Sequence, residues 1–247
     1  MGRESTMKVL LLGGSGQLGQ SVQEIVPATV ELYAPSRAEL DLQQTDRVRQ
    51  CIGDRNIAIV LNCSAYTNVE GAESETVVAD AVNHQAVAGL VEAVAASSAR
   101  VVHVSTDYVF DGRACHPYEP AAATNPQCAY GRSKLAGEVA LQKGLPGRHS
   151  IIRTSWLYSA SGNNFMLTML RLMAERQELS VVADQVGTPT HCAGLAGFLW
   201  WVAEHKSPPV MHWSDCGVAS WYDFAVAIME EALATGVLER PILIRPI

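Results

Sequence analysis

The segment Gly13-Gly14-Ser15-Gly16-Gln17-Leu18-Gly19 follows directly on the apolar run Lys8 to Leu12, KVLLL. It precedes a helix-like spacing of Leu18, Val22, Ile25 and Val26, closed by Pro27. No other feature restricts the fold so strongly. A short apolar run ended by glycines reads as a buried parallel strand. G-x-x-G-x-x-G between a strand and a helix permits a tight turn, lets backbone approach a pyrophosphate, and aims a helix N-terminus at the anion. A dinucleotide-binding βα unit is expected, with Gly13, Ser15, Gly16, Gln17 and Leu18 against the ligand.

The alternation continues. Strands are expected at Val30 to Ala34, Ile57 to Cys63, Val101 to Val104 and Ser150 to Thr154. Helices are expected at Ala79 to Ala96 and Tyr130 to Gln142, the latter ended by Gly144 and Pro146. Strands alternating with helices predict βαβ units in a parallel sheet. After Trp156 the rhythm loosens. Helices are expected at Phe165 to Arg176, Leu195 to Glu204 and Trp221 to Ala234, with strands at Leu179 to Val182 and Met211 to Trp213. The fold class is α/β: a Rossmann-type doubly wound parallel sheet over residues 7–156, with residues 157–247 supplying late strands and a smaller substrate lobe.

Composition serves mainly to exclude. Hydrophobic residues make up 48% and charged residues 17%, enough for a sizeable core. A net charge of −7 argues against gripping a nucleic acid backbone. No apolar run approaches a membrane span. The cysteines Cys51, Cys63, Cys115, Cys128, Cys192 and Cys216 have no CxxC spacing, and the histidines have no HxxxH or HExxH spacing. Reduced thiols in a cytoplasmic protein, and no dedicated metal site, are expected. Met1 to Thr6 are polar, precede a second Met, and read as a leader outside the fold.

Two further stretches carry chemistry. The second strand ends in Ala34-Pro35-Ser36-Arg37 without the carboxylate that would bind adenine-ribose hydroxyls. Ser36 and Arg37 suit a 2′-phosphate instead, so NADPH is favoured, with NADH as the second choice. Tyr130-Gly131-Arg132-Ser133-Lys134 is Y-x-x-x-K, which on a helix puts Tyr130 and Lys134 one turn apart. A neighbouring ammonium is expected to lower the Tyr130 pKa from about 10. The run Val101 to Val104 ends in Ser105-Thr106, whose hydroxyls can place a reacting oxygen.

Glycine loop, strand-end Ser/Thr and YxxxK, in this order, resemble the extended short-chain dehydrogenase/reductases. A narrower likeness is to the dTDP-4-dehydrorhamnose reductase family. It is carried by Ala65-Tyr66-Thr67-Asn68-Val69-Glu70, VSTDYVFDG, YGRSKLAGE, RTSWLY with Gly162-Asn163-Asn164-Phe165, and DQVGTPT from Asp184 to Thr190, and it spans Met7 to about Leu233. The resemblance implies hydride transfer from NADPH to the 4-keto group of dTDP-4-dehydro-L-rhamnose. It implies Tyr130 as proton donor, Lys134 on the nicotinamide ribose and Thr106 on the C4 oxygen. Cofactor contacts would extend to Ser36, Arg37, Asp41, Leu42, Cys63, Ser64, Ala65, Tyr66 and Asn83. Substrate contacts would fall on Thr67, Val69, Thr106, Asp107, Tyr108 and Trp156.

The chain departs from this family in two places. It ends at Arg245-Pro246-Ile247, where members continue into an R-P-x-x-S-like motif, so a shortened substrate lobe is expected. Ser21 and Ala193 stand where some members carry glutamates of a magnesium-bridged dimer, which implies a monomer or weak homodimer with no such bridge. Two rivals stay open. A related dehydratase would need an acid after Asp107, where Tyr108 stands, but an epimerase is compatible. So is a non-catalytic NADP-binding subunit similar to the methionine adenosyltransferase β subunit.

Overall fold

The computed structural model describes residues 6–247; residues 1–5 of the expected leader lie outside the described residues. Two compact units divide the chain. The first contains the residues up to Thr154 together with Ala196–Trp213, the second Ser155–Leu195 with Ser214–Ile247.

The first unit is built on β1 (Met7–Leu12), α1 (Gln17–Glu24), β2 (Val30–Tyr33), α2 (Thr45–Arg55) and β3 (Ile59–Asn62). After two short helices, α3 (Gly71–Ser74) and α4 (Thr76–Asp80), a π-helical stretch Ala81–Gln85 runs into α5 (Ala86–Ala95). Then come β4 (Arg100–Thr106), a 3₁₀ turn Asp107–Val109, α6 (Ala129–Gly144) and β5 (His149–Thr154). The second unit holds β6 (Leu157–Tyr158), α7 (Phe165–Glu175), β7 (Glu178–Val181), β8 (Val186–Gly187) and β9 (Thr190–His191). The chain returns through α8 (Cys192–Glu204) and β10 (Val210–His212), then ends in β11 (Ala219–Ser220), α9 (Trp221–Ala234) and β12 (Leu243–Pro246).

The doubly wound expectation is met. Six parallel strands lie in the order β10-β5-β4-β3-β1-β2. Strand order reverses between β1 and β3, where ligands of open α/β sheets bind at the carboxyl ends. The apolar run of β1 is buried because helices cover both faces of such a sheet: Val9, Leu10, Leu11 and Leu12 are at most 2% exposed. Val48 and Ile52 of α2, Leu90 and Val94 of α5, and Leu141 of α6 form one core cluster with Leu10, Val60 and Ile151. Truncating one such Leu to Ala costs about 2–5 kcal/mol. Beside α1, the Trp200 indole N–H of α8 donates to Val22 O at 2.9 Å.

Several elements had no counterpart in the sequence reading, among them α2 and β12. Helix α2, TDRVRQCIGDR, buries only Val48 and Ile52, too sparse an apolar stripe for periodicity to find. It ends at Asn56 in the left-handed region, φ +52°. Strand β12 buries Ile244 alone and exists by pairing in parallel with β7. The second unit's core joins α7, α9, β7 and β12 through Met173, Leu179, Ala225, Ile228 and Ile244.

Candidate active site

The glycine loop forms a cradle that no side chain could share. Gly13 has φ +81°, and a Cβ there would lie 2.6 Å from Ser64 N. A Cβ on Gly19 would lie 2.2 Å from Gly13 O, so helix α1 sits tight against the loop. Between this loop and the end of β3 is a cleft of about 230 Å³. It is lined by Gly13, Ser15 and Gly16, by Arg37, Asp41 and Leu42, and by Cys63, Ser64 and Ala65, with Val82 and Ala86 as apolar wall. A narrow backbone-lined groove ending at a helix N-terminus fits a dinucleotide.

Seven residues expected on the cofactor do not line this cleft: Gln17, Leu18, Ser36, Tyr66, Asn83, Tyr130 and Lys134. Leu18 is buried instead. The Ser36 amide and hydroxyl both donate to Glu39 at 2.8 Å, while Arg37 pairs with Asp41 at 3.1 Å. Asn83 acts as a clamp. Its Oδ1 accepts from Tyr66 N–H at 2.9 Å, and its Nδ2 donates to Tyr66 O and to Ser133 Oγ, both at 3.0 Å. It thus ties the loop after β3 to α6 from a π-helical position, a common place for functional irregularity.

Next to the cradle, the ends of β4 and α6 bring together the expected strand-end threonine and tyrosine. Thr106 Oγ1 donates to Asp107 Oδ1 at 3.1 Å and accepts from Tyr108 N–H at 3.2 Å. The Tyr108 and Tyr130 rings meet edge to face, centroids 5.6 Å apart. Close approach is possible because Gly131 has no side chain; a Cβ there would lie 2.2 Å from Tyr108 O. Val69 and Tyr108 pack on the small cluster of Ala72, Ala129 and Tyr130, whereas Thr67 is exposed.

The expected lowering of the Tyr130 pKa is not found. Burial pushes the phenol well above its ordinary value, and the Asp107 charge adds to this against a favourable Thr106 hydrogen bond. Lys134 is itself buried at 1% exposure. Its Nζ donates to Val104 O at 2.7 Å and lies 3.3 Å from His103 Nε2. Burial lowers the Lys134 ammonium to about 8, against the opposing charges of Glu138 and Cys63. Burial also raises the Asp107 carboxyl to about 6.

Trp156 belongs to the second unit. It takes a left-handed backbone, φ +48°, and stacks on Trp221 with centroids 3.5 Å apart. Gly187 of the DQVGTPT segment leaves it room, since a Cβ there would lie 2.6 Å from the indole. Gln185 of the same segment accepts from the Trp221 indole N–H at 3.3 Å. Trp221 and the buried pair Asn62 and His103 were missed from sequence; the signal for the latter was a polar residue inside each apolar strand. No cluster of three metal-ligating side chains occurs among the described residues, and Ser21 is buried.

The parallel sheet, the glycine cradle and a strand-end threonine beside Tyr-x-x-x-Lys define an extended short-chain dehydrogenase/reductase. More narrowly, the chain belongs to the RmlD substrate binding domain family, whose sequence profile matches residues 7–247. It is 39% identical to the dTDP-4-dehydrorhamnose reductase of Aggregatibacter actinomycetemcomitans, over 97% of this chain and 84% of that protein. It is 38% identical to the enzyme of the same name from Escherichia coli K12, over 94% and 80%. Its structure is similar to the crystal structure of dTDP-4-dehydrorhamnose reductase from Bacillus anthracis in complex with NADP. That match has a TM-score of 0.92 and 34% identity, and covers 98% of this chain and 84% of the other.

Proposed function

We propose that this chain reduces the 4-keto group of dTDP-4-dehydro-L-rhamnose to give dTDP-L-rhamnose, with NADPH as the preferred donor and NADH as the alternative. The observation that carries this is Thr106 and Tyr130 side by side next to a glycine cradle, in a chain whose relatives bear that enzyme name. NADPH, held along Gly13 to Gly16, Arg37 to Leu42, Cys63 to Ala65 and Lys134, supplies the hydride.

The chain's own residues do the rest. Thr106 holds the keto oxygen by its hydroxyl. Tyr130 gives its phenolic proton to that oxygen as negative charge develops there. Burial suits it to this role, because a phenol with a raised pKa stays protonated at neutral pH and still donates to a more basic alkoxide. Lys134 donates to the nicotinamide ribose. Asp107, Tyr108, Thr67 and Val69 shape the sugar side, and Trp156 offers an aromatic face for the pyranose. Tyr108, in place of the acid that elimination would need, favours plain ketone reduction. The six cysteines are all thiols, which supports a cytoplasmic setting. A monomer or weak homodimer, without a bridging metal, is the assembly proposed.

The test is loss of NADPH absorbance with enzymatically generated dTDP-4-dehydro-L-rhamnose. Tyr130→Phe is expected to remove turnover and to leave NADPH binding intact. A wild-type protein that binds NADPH tightly, yet consumes none with this or related keto sugar nucleotides, would favour the regulatory reading.

A further inference from the structure

Behind the site runs a line of buried polar side chains that ends at Lys134, and two of its members, Asn62 and His103, have no part in the proposed reaction. Asn62 ends β3, His103 lies within β4, and Lys134 projects from α6; none is more than 1% exposed. Their hydrogen bonds have a determinable direction. Asn62 Oδ1 accepts from Ser64 N–H at 3.1 Å, which turns the amide NH₂ toward His103. That NH₂ is a donor only, and it stands 3.0 Å from His103 Nδ1. Nδ1 must therefore present a lone pair. A neutral imidazole carries one proton, so the proton is on Nε2.

Nε2 is the atom 3.3 Å from Lys134 Nζ. An ammonium has three N–H groups and no lone pair, so it would meet the imidazole donor to donor. An uncharged amine has a lone pair for Nε2–H and can still donate to Val104 O. Doubly protonated His103 offers no escape, since it would also leave Nδ1–H against the Asn62 NH₂. Burial holds His103 neutral, and any charge on Lys134 acts in the same direction.

We infer that His103 is a positioning residue that favours the uncharged form of Lys134, by offering an N–H where an ammonium would need an acceptor. Other groups around Lys134 act in both directions. From its own helix, Glu138 favours the charged form, although that carboxylate is engaged by Arg153 and Ser105. Cys63, from the segment after β3, favours it too. From β4, His103 and burial oppose it. The consequence is a lysine that gives up its charge more readily as pH rises than a free lysine does, which gives the site an alkaline limb. The effect on turnover rests on the reduction proposed above; the order of hydrogen bonds does not.

Two measurements test this on the full chain. Long-range ¹H–¹⁵N NMR of the His103 ring at neutral pH is expected to show Nε2 protonated and Nδ1 bare. A proton on Nδ1 would overturn the inference whether or not the protein turns over. The second is the pH profile of kcat/KM for NADPH oxidation in His103→Gln, whose amide oxygen can accept from an ammonium. Its alkaline midpoint is expected to rise by about one pH unit. An unmoved midpoint in the folded variant would reduce His103 to a packing role. If the variant does not fold, the ring protonation of the wild type decides the matter. If the wild type shows no turnover, the reductase reading fails while the NMR result still stands on its own.

Discussion

The buried pair Glu138–Arg153 offers a severe test of how the site is held. Glu138 is fully buried and Arg153 is 5% exposed. Arg153 Nη2 donates to Glu138 Oε2 at 2.7 Å and Nε to Oε1 at 3.0 Å, while Ser105 Oγ donates to Oε1 at 2.5 Å. Glu138→Ala leaves the guanidinium with Pro120 O at 3.2 Å and a face-on approach to Phe110 at 5.0 Å, but with no counter-charge. Stranding a buried charge costs about 3–5 kcal/mol. That is a large share of the roughly 5–15 kcal/mol typical of a whole protein. Ser105 also loses its acceptor next to Thr106, so turnover is expected to fall along with stability. Urea unfolding, followed by tryptophan fluorescence, should show a lower midpoint at unchanged slope. Replacing both partners, Glu138→Leu with Arg153→Met, should recover most of the loss, because the desolvation of two charges is also removed. A single variant within about 1 kcal/mol of wild type, or a double variant as unstable as the single, would refute the reasoning.

Three further outcomes are expected. Gly13→Ala should weaken NADPH binding at least about tenfold in a fluorescence titration, since its methyl would meet the Ser64 amide at 2.6 Å in a strained backbone. Asp107 titrates near 6 when folded and near 3.9 when unfolded, so the folded state binds the proton more tightly. Its contribution is greatest below pH 4 and is lost as pH rises to 6. Asp107→Asn should therefore gain stability over wild type across that window, up to about 2–3 kcal/mol, seen as a diverging pair of urea midpoints. Gly187→Ala should push the Trp156 indole off its stack and raise KM for the sugar nucleotide more than it lowers kcat, as steady-state kinetics would show.

Where burial is continuous, sequence and structure agree. The KVLLL run, the glycine loop, helix α9 and the YxxxK helix were legible because apolar runs and glycines directly encode strand, turn and close approach. Helix α2 and strand β12 were not, because each buries one or two side chains and depends on partners distant in sequence. The site divides in the same way. Thr106 and Tyr130 meet, in keeping with the order of the motifs along the chain. Their electrostatics did not follow, because spacing says nothing of desolvation: the lysine meant to tune Tyr130 is buried, donates to Val104 O and lies against His103. Ser36 turned out to serve Glu39, since a short hydroxyl takes the nearest local acceptor.

The return of Ala196–Trp213 to the first unit has a consequence in time. Strand β5 is wholly buried, and one of its edges is covered only by β10, through Val210 to His212. On the ribosome, β5 is made well before β10. At about 5–20 residues per second the nascent sheet carries an edge of unpaired backbone for several seconds. Unpaired edges are where strands of other chains add. The yield of folded protein in a cell should thus depend on how this interval is protected, by slowed synthesis at low temperature or by a chaperone, more than on anything in the finished active site.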